Sequence, residues 1–128
     1  MQGLHLTADL HQCAAGAAMT DADALRALCL QQVQRAGLLA VGELFHRYAP
    51  PPGDESDAPQ GVTGVVLLAE SHLAVHTWPE LQAVTLDVYV CNFGADNSQR
   101  AQALLEALIA AFAPQRSMLH RLHRGAAA

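Results

Sequence analysis

The chain has 128 residues, 52% of them hydrophobic and 15% charged, with a formal net charge of −5. That is a single globular domain, 1–128, large enough for its own core and too apolar to be a disordered chain. All seven basic residues are arginine and lysine is absent. This excludes a lysine-anchored pyridoxal phosphate and a phosphate-binding P-loop, and the acidic balance argues against a general grip on nucleic acid or membrane.

The segment Leu4–His11 reads as a first strand. Thr20 and Asp21 are N-cap residues for a helix carrying Leu25, Leu28, Cys29, Val33 and Ala36 at helical spacing, with Gly37 where a C-terminal glycine belongs. A strand is expected over Leu38–Arg47. Then comes PPPGDESDAPQ, Pro50–Gln60, whose four prolines fit neither helix nor strand and predict a surface loop. Val62–Ala69 is a continuous apolar run, as in a central buried strand. Val84, Leu86, Val88 and Val90 alternate with Thr85, Asp87, Tyr89 and Cys91, the pattern of a half-buried strand. A second helix starts near Asn97 or Ser98, carries Leu104, Leu105, Leu108, Ile109 and Phe112 on one face, and stops at Pro114. Arg116–His123 is a further strand candidate, and the tail Gly125–Ala128 reads as a frayed end.

This order predicts an α+β fold: a two-layer sandwich in which helices cover one face of a mostly antiparallel sheet. A second copy of the chain is the simplest cover for the other face. The widely spaced Cys13, Cys29 and Cys91 offer no disulfide framework or CxxC pair, and Cys13 and Cys29 read as core fillers. No signal-peptide pattern and no apolar run of bilayer length is present, so a cytoplasmic location is expected.

The chemistry concentrates in Glu70-Ser71-His72-Leu73-Ala74-Val75-His76-Thr77-Trp78-Pro79-Glu80, directly after an apolar strand. Polar groups at the end of a core strand carry a desolvation cost and need partners or a task. In an extended Ser71–Thr77, His72, Ala74 and His76 share one face. A hairpin through the Pro79 turn brings Cys91 back to the Ser71 end, gathering a hydroxyl, an imidazole and a thiol. Three chemistries fit: a zinc site from His72, His76 and Cys91; nucleophilic catalysis by Ser71 or Cys91 with a histidine base; or self-processing, in which Ser71 attacks its own preceding carbonyl. His120 and His123 read as surface residues.

The segment ESHLAVHTWPE resembles the processing motif of the small bacterial S-adenosylmethionine decarboxylases. Phe45-His46-Arg47-Tyr48, Gly61-Val62-Thr63-Gly64-Val65, Leu86-Asp87-Val88-Tyr89-Val90-Cys91 and HLTADLHQC also resemble that family, in the same order, across residues 4–94. The chain departs from the pattern at Leu81-Gln82, where an aromatic and a glycine are expected, and in its longer Pro50–Gln60 loop.

The resemblance implies a proenzyme that cuts itself between Glu70 and Ser71 into chains 1–70 and 71–128. Ser71 attacks the Glu70 carbonyl, the resulting ester leaves by β-elimination, and loss of ammonia leaves a pyruvoyl cofactor derived from Ser71. That cofactor needs no lysine, in keeping with the composition. The resemblance further assigns His76 as the processing base, Thr63 as the hydroxyl assisting the acyl shift, and Cys91 as the proton donor of decarboxylation. Tyr48 and Trp78 become candidates for binding the adenine and the sulfonium of S-adenosylmethionine, and Glu80 for the ribose. The implied activity is decarboxylation of S-adenosylmethionine for spermidine synthesis, by a homodimer that completes each pocket across its interface. Arginine or ornithine decarboxylation by the same chemistry is the alternative, and a non-processing homologue that binds or regulates a partner enzyme stands behind it.

Overall fold

The computed structural model describes residues 1–14 and 16–125; of the frayed end expected at 125–128, residues 126–128 lie outside the described residues. In chain order the elements are β1 (Gly3–His11), α1 (Ala22–Arg35), β2 (Ala40–Arg47), β3 (Val62–Leu68), β4 (Ser71–Trp78), β5 (Ala83–Cys91), α2 (Ser98–Phe112) and β6 (Arg116–Arg124), with single 3-10 turns at Ala17–Met19 and Pro79–Leu81. The six strands form one antiparallel sheet in the order β2-β3-β4-β5-β1-β6. Both helices lie on the same face, α1 over β2 and β3, α2 over β1 and β5. This is the two-layer α+β architecture that the sequence predicts.

The local signals explain the element ends. The Asp21 carboxylate accepts from the Asp23 and Ala24 N–H groups, satisfying two orphan donors at the start of α1. After α1 the chain reverses at Gly37, φ 81°. At the start of α2 the Asp96 carboxylate accepts from Ser98 N–H, while Asn97 accepts from the Arg100 side chain. The helix ends at Ala113, immediately before Pro114.

The core is the layer between helices and sheet. Leu25, Cys29 and Val33 of α1 and Leu104, Leu105, Leu108 and Phe112 of α2 pack on Leu4, Leu6, Leu10, Leu73, Val75, Val84, Leu86 and Val88, all buried. Each fully buried leucine contributes about 1.5–3 kcal/mol by apolar transfer. Cys13 belongs to this core, as expected. Gly64 is fixed by packing: a Cβ there would run into the Phe45 ring on the neighbouring strand.

The opposite sheet face has no helix. It carries Leu44, Thr63, Val65, Leu67, His72, Ala74, His76, Thr85, Asp87, Tyr89, His5 and Thr7, and Leu44 and Leu67 are more than half exposed. The expectation for Val62–Ala69 needs correction here. The strand is central, but within one chain only Val62, Gly64, Val66 and Leu68 are buried, because a single helical layer covers one face. β6 is exposed throughout, since no helix reaches that edge, and His120 and His123 are surface residues as expected. No helix is long and apolar enough to cross a membrane among the described residues.

Candidate active site

The β3–β4 hairpin closes through only Ala69 and Glu70. Glu70 has φ 51°, a left-handed conformation that costs a residue with a side chain about 1–2 kcal/mol. The bond following it is Glu70–Ser71, so local backbone strain is stored at the expected cut. Ser71 opens β4. His72 pairs with Tyr89, which brings the end of β5 beside Ser71, and the Cys91 N–H donates to Ser71 Oγ at 3.0 Å. A cavity of about 310 Å³ at this end is lined by Glu70, Ser71, His72, Tyr89 and Arg124 among others. His72 stacks on Tyr89 with ring centroids 5.7 Å apart, and His5 Nε2 meets Asp87 Oδ1 at 2.7 Å on the same face.

A second group forms at the other end of β4. Thr63 and His76 are opposite each other on β3 and β4. Tyr48 OH donates to Thr63 Oγ1 at 3.0 Å, and Thr63 Oγ1 lies 2.9 Å from His76 Nδ1. His76 stacks on Trp78, centroids 6.3 Å apart and planes 25° from parallel. Tyr48, Thr63, His76, Trp78 and Glu80 together line a cavity of about 670 Å³. The Pro50–Gln60 loop supplies another wall through Pro51, Asp54, Ala58, Pro59 and Gln60. The Ser56 hydroxyl and backbone N–H hold the Asp54 carboxyl below its usual range.

The structure therefore sorts the sequence candidates into two groups. Glu70, Ser71 and Cys91 are together, and Thr63, His76, Tyr48, Trp78 and Glu80 are together. The two groups are five residues apart along β4, about 16 Å at ordinary strand rise. Of the hydroxyl, imidazole and thiol expected in one pocket, Ser71 and His72 line the cavity together and Cys91 reaches Ser71 through its backbone N–H, while His76 is at the far end. The zinc alternative loses its geometry for the same reason, since His76 and Cys91 lie in different groups. Among the described residues no metal-ligating cluster of three or more side chains occurs.

Three features escaped the sequence. Thr77 is buried, and its hydroxyl accepts from Val62 N–H at 2.9 Å and donates to the Met19 carbonyl at 2.8 Å. Its strand parity was the available signal: it shares a face with Leu73 and Val75. The loop's place in the cavity wall had no signal beyond its position after Tyr48. Arg124 had none, because its neighbours are set by the pairing of β6 with β1.

Comparison with known proteins bears on the family of the chain. The family model described as S-adenosylmethionine decarboxylase matches residues 4–125. A protein of Pyrococcus abyssi named S-adenosylmethionine decarboxylase proenzyme is 37% identical over 93 residues, 73% of this chain and 60% of that protein. One of the same name from Prochlorococcus marinus is 35% identical over 108 residues, 84% of this chain and 78% of its own length. The chain thus spans about 60% of the first of these relatives. The crystal structure of the adenosylmethionine decarboxylase from Aquifex aeolicus superimposes with a TM-score of 0.82 at 31% identity, covering 98% of this chain and 92% of that one. On this match across nearly its whole length, in sequence and in fold, the chain belongs to the S-adenosylmethionine decarboxylase family.

Proposed function

We propose that this protein is a pyruvoyl-dependent S-adenosylmethionine decarboxylase, made as a precursor that cuts itself between Glu70 and Ser71 into 1–70 and 71–128. The observation that carries this reading is the local state of that bond. It follows a left-handed Glu70 in a two-residue turn, and the hydroxyl next to it is held by a backbone N–H. Attack of Ser71 Oγ on the Glu70 carbonyl exchanges a peptide for an ester. Removal of the Ser71 Cα proton then expels the Glu70 carboxylate, and water releases ammonia. Cleavage relieves the Glu70 turn. The residues around position 71 fit a pyruvoyl group, because it is made from Ser71 itself and a cavity with room for a ligand opens beside it. Such a group supplies an electron sink for loss of carbon dioxide from an α-amino acid.

The remaining roles follow from the two groups. Cys91, beside Ser71, supplies the thiol that returns a proton to the substrate carbon. His76, its Nδ1 engaged by Thr63, is the processing base. Tyr48 and Trp78 offer aromatic faces to the adenine and the sulfonium, and Glu80 a carboxylate to the ribose. Because His76 lies about 16 Å from Ser71 in its own chain, the complete site is formed in a homodimer packed through the helix-free sheet faces. One protomer contributes Ser71 and Cys91; its partner contributes the group around Thr63 and His76. The exposed Leu44 and Leu67 on that face support such packing. A cytoplasmic location completes the reading, in line with three free cysteines among the described residues.

The test is the intact mass of the purified protein under denaturing conditions. Two chains are expected, 1–70 and 71–128, the second lighter by one ammonia than a serine-ended chain. Carbon dioxide release should follow from S-adenosylmethionine and not from arginine or ornithine. A single full-length mass after long incubation would refute self-processing, and turnover of a basic amino acid alone would refute the substrate.

A further inference from the structure

The cavity beside Ser71 holds one permanent side-chain cation, Arg124, among the residues that line it. The sheet explains its position. Gly3 pairs with Cys91 on one side and with Arg124 on the other, so the three share a row on the helix-free face. Arg124 is thus two strands from Cys91, about 10 Å between Cα atoms. Between them Gly3 has no side chain, and the Tyr89 ring occupies the space a Cβ would need. The guanidinium has no ion-pair partner among the described residues.

The other arginines are placed elsewhere. Arg26 is bound to Glu43 by two contacts, and Arg35 and Arg100 belong to the helical layer. Arg47 lines a cavity at the opposite end of the molecule with Tyr48. Arg121 pairs with Leu6 and so faces the helix side, and Arg116 begins β6 at its far end. With no lysine in the chain, Arg124 is the one permanently cationic side chain among the described residues that line this cavity, which Met1 also lines.

We infer that Arg124 binds the α-carboxylate of the substrate, the group that leaves as carbon dioxide. This rests on the proposed function: the reacting carbon comes to residue 71, so the carboxylate it carries enters this cavity. A guanidinium suits a carboxylate because its donors match both oxygens. The contact is made in the ground state and disappears with carbon dioxide, so it strengthens substrate binding without raising the rate of the chemical step.

The experiment compares S-adenosylmethionine with its decarboxylated product as ligands. In a Ser71→Ala background, which cannot turn the ligands over, dissociation constants are measured with and without Arg124→Gln. Arg124→Gln should weaken the carboxylate-bearing ligand by roughly tenfold to a hundredfold and leave the decarboxylated one unchanged. In the cutting protein the same substitution should raise KM without lowering kcat and leave cleavage at Glu70–Ser71 intact by mass. Arg124→Lys keeps the charge and serves if the glutamine variant fails to fold: it must still prefer the carboxylate-bearing ligand. Equal weakening of both ligands, no change in either, or loss of the 1–70 chain from the cut protein would overturn the inference. A wild-type chain that never cuts itself would defeat the proposed function, whereas the ligand preference in Ser71→Ala reads Arg124 separately.

Discussion

The separation of Ser71 from His76 makes a sharp prediction about how the site is assembled. The two residues stand at opposite ends of β4, about 16 Å apart, several times the reach of a direct proton transfer. If His76 acts as the base, it acts on the Ser71 of a partner protomer. Ser71→Ala alone cannot be cut, and His76→Ala alone should stay uncut. Co-expressed in equal amounts, they form heterodimers with one complete site, combining Ser71 of one protomer with His76 of the other. Random pairing puts about half the dimers in that form, so about a quarter of all chains should be cut. The assay is denaturing mass spectrometry on the mixture after long incubation. Separately purified homodimers mixed after folding should be cut only as fast as subunits exchange. No cleavage in the co-expressed mixture, with both variants folded, would refute assembly across the dimer. Full cleavage of His76→Ala by itself would remove His76 from processing.

Three further outcomes can be checked separately. Cys91→Ala should permit self-cleavage yet lower the rate of carbon dioxide release by about 10²-fold or more, and unimpaired turnover would remove Cys91 as proton donor. Thr77→Val keeps the shape but strands the Val62 N–H and the Met19 carbonyl in the core, so stability in a denaturant titration should fall by about 2–4 kcal/mol; an unchanged midpoint would show that those groups find other partners. Burial pushes the Cys29 thiol from 9.0 up to about 12, so the folded thiol resists ionisation after the unfolded one has yielded. The stability this confers is complete below pH 9.0 and lost as pH rises towards 12, at about 1.4 kcal/mol per pH unit, a slope that Cys29→Ala should reduce.

Much of the fold is legible in the chain because its signals are local. Asp21, Gly37 and Pro114 mark helix ends through hydrogen bonds and backbone angles that depend on near neighbours. The alternation in Val84–Val90 follows from the strand repeat, and the helical stripes of Leu25, Cys29 and Val33 or Leu104, Leu108 and Phe112 from the helical one. The Pro79 turn between β4 and β5 likewise brings Cys91 back to Ser71, since a hairpin's partner residues follow from turn position.

The ESHLAVHTWPE segment also pointed to the proposed chemistry, because one short run holds both the serine and the histidine. Their sequence closeness misleads about space: an extended strand converts five residues into about 16 Å, so the same run serves two different groups. Only the tertiary structure decided that Thr63 and Tyr48 join His76, through the pairing of β2, β3 and β4, and that the Pro50–Gln60 loop folds against them. It alone brought Arg124 to Ser71, across β5, β1 and β6. Pairing between strands distant in sequence depends on how the whole sheet buries its apolar face under two helices, and no local pattern in the chain specifies it.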